Sequence, residues 1–187
     1  MIKNLYKDEN SKTVYTFKEL SMLSDKDPNN IARNISYAIS NQNLHHIRKG
    51  LYAINKNYDK FEMATKIYKP AYISFETVLQ AEGVIFQNYS SITIASYKTT
   101  DIVSDNQKLK FRKLKDSVLF NTEGLIKKNS YYVASKERAI LDILYQNKSY
   151  YFDNLRGVNW ENAFELVKIY KNKNLEKRLQ DLYKKYS

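Results

Sequence analysis

The sequence predicts an α+β protein of two domains, and three observations support this prediction. Apolar residues recur at helical spacing in some segments and alternate with polar residues in others, as helices and strands do. The chain of 187 residues has room for one medium domain or two small ones. A polar stretch at 55–60 separates the N-terminal third from the rest. We therefore predict an N-terminal domain over residues 1–58 and a mixed α/β domain over 59–187.

The composition limits the kinds of partner and the cellular compartment that can be predicted. The net charge of +11 favours a polyanionic partner such as nucleic acid, although a chain rich in Lys, Asn and Tyr is also typical of AT-rich coding sequence. The absence of cysteine excludes disulfides, thiolate metal sites and cysteine nucleophiles. No apolar run approaches the ~20 residues of a membrane span, and the start lacks a signal-peptide core. The sequence therefore predicts a cytoplasmic protein without a membrane partner.

The first elements follow from local signals. A short helix is predicted over residues 2–6 and a strand over 14–15. Thr16 and Glu19 have the spacing of a capping box, in which the hydroxyl bonds the N3 amide and the carboxylate reaches back to the N-cap amide. A second helix is therefore expected over 16–23.

A third helix is predicted from Pro28 to about Asn41. Asp27 is a suitable N-cap, and proline fits the first helical position, where its missing N–H costs nothing. One face carries the apolar stripe Ile31, Ala32, Ile35, Ala38 and Ile39, which indicates a surface that packs on a core. The opposite face carries the polar residues Asn30, Arg33, Asn34 and Tyr37.

A basic hairpin follows this helix. Residues 44–47 and 51–54 read as short strands, and Gly50 supplies the permissive backbone of a tight turn beside Arg48 and Lys49. A helix with a polar outer face followed by a cationic hairpin is typical of a winged helix-turn-helix domain. The predicted fold is therefore α+β, with an N-terminal winged helix-turn-helix and a mixed α/β C-terminal domain.

Such a domain predicts double-stranded DNA as the partner. Asn can bond adenine and Arg can bond guanine in bidentate fashion, so Asn30, Arg33 and Asn34 are candidate base contacts. Arg48 and Lys49 can neutralise phosphates or enter the minor groove. Further candidate phosphate contacts are Ser36, Tyr37 and His46. The alternative interpretation is a solvated polar helix face and an ordinary charged turn.

Two rival functions remain open. The first rival is a protein-interaction module, since winged helices also serve in protein binding. The C-terminal domain would then bind a toxin or other partner, and the basic strand 108–115 would dock an acidic surface. The simplest interpretation of that strand is a solvated sheet edge protected by lysines. A metal-dependent nuclease using Glu76 or Asp101 is the second rival. No HExxH, GxGxxG, P-loop or GxSxG motif is present, so no enzyme activity and no cofactor are expected.

The two histidines do not predict a metal site. His45 and His46 are adjacent on a predicted strand, so they should point to opposite sides. We expect one to be packed and the other exposed.

The C-terminal region alternates strands and helices. Ser74 is the predicted N-cap of a helix that ends at Gly83. Glu137 falls in the first turn of a later helix, where the helix dipole favours an anion. Arg138 and Asp142 have the i, i+4 spacing of an ion pair. The predicted helices are 61–68, 74–82, 135–144, 160–170 and 175–186, and the predicted strands are 71–73, 92–97, 108–115, 120–126 and 131–133.

Three segments resemble the AbiEi-type antitoxins, the regulators of abortive-infection (type IV) toxin–antitoxin systems. Residues 48–54 (RKGLYAI) are similar to that family's wing, residues 72–83 to its strand-to-helix element, and residues 134–144 to its later Ser-x-Glu-x-Ala helix. The chain departs from the family in two places. Its first helix, before Val14, is shorter than is usual in the family, and the region after Asn147 has no counterpart that can be aligned.

The resemblance implies a repressor that binds inverted repeats upstream of its own operon. It also implies a C-terminal domain with antitoxin action against a nucleotidyltransferase-like toxin. The positions carried over as DNA contacts are Arg33, Asn34, Arg48 and Lys49, and the family offers no catalytic residue.

Overall fold

The structure is a computed structural model that describes residues 12–23 and 30–186. The described chain is a mixture of helices and strands, which confirms the predicted α+β class. The helix predicted over residues 2–6 and the Asp27–Pro28 helix start lie outside the described residues. Among those residues, no helix combines the length and the apolar character needed to cross a bilayer.

The N-terminal part is a small sheet with two helices. Its elements are β1 (Val14–Thr16), α1 (Phe17–Met22), α2 (Ile31–Ser40), β2 (His45–Arg48) and β3 (Leu51–Ala53). The strands form an antiparallel sheet in the order β1-β3-β2. The strand at 14–15, the capping box and both hairpin strands are confirmed within one or two residues.

The C-terminal part is built on a six-stranded sheet in the order β6-β7-β5-β4-β9-β8, with helices on it. Pairs β5–β7 and β4–β9 are parallel, and the other pairs are antiparallel. The elements are α3 (Lys60–Ile67), β4 (Ala71–Ile73), α4 (Glu76–Ala81), β5 (Ile92–Ser96), β6 (Thr100–Ser104), β7 (Gln107–Lys113), α5 (Asp116–Leu119), β8 (Leu125–Lys128), β9 (Tyr131–Ala134), α6 (Lys136–Gln146), α7 (Trp160–Leu166), a 3₁₀ turn (Val167–Tyr170) and α8 (Lys173–Tyr186).

The strand predicted over 120–126 begins only at Leu125, so the prediction is wrong for residues 120–124. Helix α5 ends at Leu119, and the chain turns at Gly124 before it enters β8. Gly124 has a φ of +70°, and a Cβ there would lie 2.9 Å from the Leu166 side chain. A left-handed backbone packed this closely requires glycine, and it interrupts any continuous strand.

The interpretation of residues 108–115 as a sheet edge is also wrong. Strand β7 lies inside the sheet, because β6 pairs with it along its length from Thr100↔Phe111 to Ser104↔Gln107. The sequence prediction contained no strand at Thr100–Ser104, where Asp101 interrupts the apolar pattern. The lysines of β7 are therefore carried by an interior strand whose Leu109 and Phe111 are fully buried.

The small sheet packs against buried apolar residues on both of its faces. A cluster on one side joins it to the first two helices: Tyr15, Leu20, Ile31, Ile35, Ala38 and Leu44. The residues on its other side belong to the main core of the C-terminal part: Val14, Ile47, Leu51 and Ala53. Each buried Val, Ile or Leu side chain among these contributes roughly 1.5–3 kcal/mol. The two parts are therefore packed against each other through this sheet, and the domain boundary after Tyr58 stays a prediction.

Candidate nucleic-acid interface

Helix α2 is held in place by one apolar face. Ile31, Ile35 and Ala38 are buried at a spacing that puts them on one side of the helix. Asn30 occupies the N-cap position without a side-chain capping bond, and neither terminal turn carries a compensating charge. Packing, more than capping, therefore fixes which face of α2 is turned outward.

Two of the predicted contact residues on α2 are freely exposed. Arg33 and Tyr37 lie one turn apart at i, i+4, and Tyr37 is 71% exposed. Asn30 is also exposed at the start of the helix. Arg33 makes no ion pair with any described residue. Its guanidinium is therefore available to an external acceptor.

The remaining polar groups of α2 are less available. The Ser36 hydroxyl donates to the Ala32 carbonyl at 3.0 Å, which occupies its proton. Asn34 is partly buried, and its Nδ2 atom is shielded from solvent without a hydrogen-bond partner in the described part of the chain. Of the three predicted base contacts, Asn30 and Arg33 are thus exposed to solvent, whereas Asn34 is partly buried.

The hairpin places its two cations at a constrained turn. Gly50 adopts a φ of +76°, and its carbonyl accepts a hydrogen bond from the Phe17 amide at 2.9 Å, which ties the turn to the start of α1. The register between β2 and β3 shifts between His46 and Arg48, as at a β-bulge. Lys49 is exposed, and Arg48 is partly exposed. Neither forms an ion pair with a described residue.

The histidines behave as predicted from strand alternation. The ring of His46 is exposed and lies against Tyr52 with the ring centroids 5.4 Å apart. His45 packs instead toward the C-terminal part: its ring stacks on Tyr58 at 5.9 Å, and its Nε2 lies 3.0 Å from Asp105 Oδ2. One histidine is therefore packed and the other is open to solvent.

Positive charge on this surface is not balanced locally. Residues 28–58 contain no Asp or Glu but do contain the cations Arg33, Arg48, Lys49 and Lys56. The next acidic residue along the chain is Asp59. Its carboxylate caps α3 and accepts a hydrogen bond from the Tyr131 hydroxyl. A segment with cations and no carboxylate of its own attracts polyanions.

Strand β1 is fixed by a buried carboxylate that sequence reasoning missed. One oxygen of Glu62 accepts hydrogen bonds from the amide and hydroxyl of Thr13, both at 2.8 Å, and from the Val14 amide at 3.2 Å. Its other oxygen pairs with Lys66 Nζ at 2.8 Å, and Lys66 also donates to the Val14 carbonyl. The i, i+4 spacing of Glu62 and Lys66 was a usable signal for the pair, but not for its contact with β1.

The electrostatics of this junction favour ionised carboxylates. Burial acts to raise the pKa of Glu62, but hydrogen bonds from the side chains of Lys66 and Ser130 and from the Thr13 amide, together with the charge of Lys66, outweigh it and lower the pKa. At Glu19 burial likewise acts upward, and bonds from the Thr16 amide and Lys12 together with the nearby Lys66 bring the pKa down to about 2. Burial lowers the pKa of Lys66 itself. Both carboxylates are therefore charged over the ordinary pH range.

A second bridge joins the hairpin to the large sheet. Asp105 lies in the tight turn between β6 and β7, where it and Asn106 both have positive φ. Its Oδ2 atom accepts a 2.6 Å hydrogen bond from the Tyr58 hydroxyl as well as the contact with His45. These two bonds lower the pKa of Asp105, and burial together with Asp105 raises that of Tyr58. The turn thus fixes β2 relative to the C-terminal part.

The C-terminal core contains a closed polar cluster. Arg138 and Asp142 are both fully buried, with Nε and Oδ1 3.6 Å apart, which confirms the predicted i, i+4 pair. Asp142 accepts hydrogen bonds from Ser74 at 2.6 Å, Tyr170 at 2.6 Å and Tyr72 at 3.0 Å. Burial raises the pKa of Asp142, against the opposing effect of Arg138. The side chains of this cluster are buried, and they link α6, β4 and the 3₁₀ turn.

This cluster explains why Ser74 is not the N-cap of α4, as the sequence had predicted. The N-cap position belongs to Phe75, which has a φ of +57° and makes no side-chain capping bond. The Ser74 hydroxyl is directed to Asp142 instead, and burial of the whole group requires that partner. The predicted stop at Gly83 is confirmed, with a φ of +65°.

The carboxylates considered for a nuclease lie on different elements, Asp101 on β6 and Glu76 on α4. Asp101 pairs with Arg112 at 2.6 Å on the exposed side of the sheet. Glu76 lies in the first turn of α4, as predicted. In the ranges 12–23 and 30–186 no group of three His, Cys, Asp or Glu side chains is arranged to hold a metal ion.

Comparison of the chain with known protein families gives no match, and comparison with curated proteins gives none either.

Proposed function

We propose that the protein is a DNA-binding transcriptional repressor and antitoxin of a toxin–antitoxin operon. It acts by binding and not by catalysis, and its N-terminal part is a winged helix-turn-helix domain. The observation that carries the proposal is the surface of α2 and the β2–β3 hairpin. That surface offers Arg33, Tyr37 and Lys49 to solvent within a segment that has no carboxylate.

The order of elements supports the winged-helix assignment. A strand, two helices and a hairpin follow one another along the chain, and β1 completes the sheet by pairing with β3. In helix-turn-helix domains the second helix enters the major groove. In this protein that helix is α2, and the Arg48–Lys49 turn is the wing that meets the backbone or minor groove. The predicted target is a duplex with inverted repeats.

The antitoxin role rests on the resemblance to AbiEi-type antitoxins. The segments that carry it coincide with the turn and second strand of the β2–β3 hairpin, with β4 and α4, and with most of α6. The last of these supplies Arg138 and Asp142 to the buried cluster. The proposed opponent is a nucleotidyltransferase-like toxin encoded beside this chain.

Titration of labelled duplexes tests the DNA-binding role. The wild-type protein is titrated with DNA from upstream of its own gene and with random duplex at two salt concentrations. We expect Arg48→Ala with Lys49→Ala to weaken binding to both duplexes about 10–100-fold and to reduce the salt slope by about 2, since two phosphate contacts are lost.

The β8–β9 hairpin offers a matched control. Lys127 and Lys128 are exposed beside another hairpin turn, so Lys127→Ala with Lys128→Ala removes the same charge elsewhere. Equal losses in the two double variants would refute a localised duplex surface, and absence of duplex binding by the wild-type protein would refute the function itself.

A further inference from the structure

Two aromatic side chains project into solvent on a surface outside α2 and its hairpin. Phe86 is 71% exposed and Tyr151 is 68% exposed. Their loops are joined by hydrogen bonds, since the Phe86 amide donates to Asp153 Oδ2 at 2.8 Å and the Asp153 amide donates to the Val84 carbonyl at 3.0 Å. The two rings therefore belong to neighbouring segments of one surface.

The fold itself keeps these rings outside. Ile85 and Phe152, the chain neighbours of the two exposed residues, are 3% and 1% exposed. Ile85 and Phe152 belong to the main core and thereby anchor both loops. Phe86 and Tyr151, in contrast, remain outside that core. Neither ring has a role in the fold or in the proposed duplex surface.

Cations accompany the aromatic rings. Lys185 Nζ lies 5.9 Å from the centroid of Tyr151 and 5.1 Å from that of Tyr186, which is within the range of a cation–π contact. Tyr186 donates from its hydroxyl to the Phe152 carbonyl at 3.4 Å, which joins the end of α8 to the same loop. We call Phe86, Tyr151, Lys185 and Tyr186 the aromatic–lysine surface.

Charge around this surface is mostly positive. The segments 148–156 and 184–186 contain the cations Lys148, Arg156, Lys184 and Lys185, with Asp153 as their one acidic residue. The Asp153 carboxylate accepts a hydrogen bond from the Phe86 amide, and these two segments still carry four cations against this one carboxylate. Exposed aromatic rings beside an excess of cations match the two components of a nucleic-acid strand, which are stacked bases and phosphates.

We propose that the aromatic–lysine surface binds single-stranded nucleic acid. Unpaired bases stack on Phe86 and Tyr151, and Lys185 neutralises the adjoining phosphate. A duplex does not offer its base faces, because they are stacked within the helix, so this site is distinct from the proposed operator surface. A protein partner is the weaker fit, because the excess of cations in segments 148–156 and 184–186 favours a polyanion.

The test separates stacking from charge. Fluorescence anisotropy compares oligo(dT) with an abasic oligonucleotide of equal length, which carries the same phosphates and no bases. We expect the full-length protein to bind oligo(dT) about tenfold or more tightly, in line with base–aromatic stacking. Phe86→Ala with Tyr151→Ala should abolish this preference and leave binding of the abasic strand unchanged. Lys185→Gln should weaken both strands and reduce the salt slope by about 0.7.

Two controls make the result specific. Phe120 is 66% exposed at the end of α5, so Phe120→Ala should keep the preference for oligo(dT). The preference should also persist in the Arg48→Ala, Lys49→Ala variant, whether or not the proposed duplex binding holds. Equal affinities of the wild-type protein for both strands would overturn the proposal. Loss of the preference in the hairpin variant, or its survival in the Phe86→Ala, Tyr151→Ala variant, would do the same.

Discussion

The two parts of the molecule use charge in opposite ways. In the N-terminal part, Arg33, Arg48 and Lys49 form no ion pair with any described residue, and their segment lacks acidic residues. In the C-terminal part, Arg138 and Asp142 are fully buried and paired with each other. Surface cations contribute little to stability and are free for a partner, whereas a buried ion is costly without its counterpart. The first set should therefore control binding, and the second should control folding.

The largest expected effect comes from breaking the buried pair. Asp142→Ala leaves Arg138 buried without its counter-ion and removes the acceptor of Ser74, Tyr72 and Tyr170. We expect a loss of ~3–5 kcal/mol in the free energy of unfolding, measured by urea denaturation. Asp181 is exposed on α8, so Asp181→Ala should stay within about 0.5 kcal/mol of the wild-type protein. A loss below about 1 kcal/mol for Asp142→Ala would show that the buried cluster does not control the stability of the fold.

On the outer face of α2, we expect a substitution to weaken DNA binding and to leave the free energy of unfolding almost unchanged. Arg33→Ala should weaken binding to the preferred duplex by ~1–3 kcal/mol, because a bidentate base contact is lost, and should leave random duplex nearly unchanged. Urea denaturation should show a change within about 0.5 kcal/mol. Arg33→Lys is the matched variant, since it keeps the charge but not the planar fork. If Arg33→Ala weakened binding equally on both duplexes, Arg33 would contact phosphate and not a base.

The N-terminal elements could be predicted well because their signals are local. Thr16 and Glu19 form the expected capping box, with the Glu19 amide 3.2 Å from the Thr16 hydroxyl. Gly50 makes the expected turn with positive φ. The burial of Ile31 and Ile35 follows directly from their spacing. Which polar groups remain free on α2 was not predictable, because Asn34 loses access through packing that its own sequence position does not reveal.

The C-terminal predictions failed where distant contacts decide the outcome. Ser74 has good N-cap chemistry, but Asp142, 68 positions away, takes its hydroxyl. The lysine-rich strand β7 has the composition of an edge, but the neighbouring strand β6 covers it. The contact of Glu62 with Thr13 likewise joins residues 49 positions apart. Propensity and periodicity report on the segment alone, so they cannot anticipate such partners.

Acid should weaken the junction between the two parts. Glu19 has its pKa lowered from 4.5 to about 2, and the pKa of Glu62 is also lowered. A lowered pKa stabilises the folded state above the ordinary value, and this contribution is lost as pH falls from about 5 toward 2. The urea midpoint should therefore drop over that interval. Glu19→Gln keeps a side chain suited to the capping box and cannot ionise.

The Glu19→Gln variant should therefore lose less stability on acidification than the wild-type protein. Parallel pH profiles for the two proteins would contradict the role assigned to the Glu19 carboxylate.

The smallest effect is expected at the start of α1. Thr16→Ala removes the hydroxyl that accepts from the Glu19 amide, and a lost cap of this kind costs ~0.5–2 kcal/mol. Because the Phe17 amide holds the hairpin turn through Gly50, fraying of α1 should also loosen the turn that carries Lys49. Duplex affinity should then fall slightly together with stability, unlike the Arg33→Ala case, where only affinity falls. Thr16→Ser keeps the cap and should restore both quantities in urea denaturation and duplex titration. An unchanged affinity in Thr16→Ala, despite lower stability, would show that the turn holds its position without support from α1.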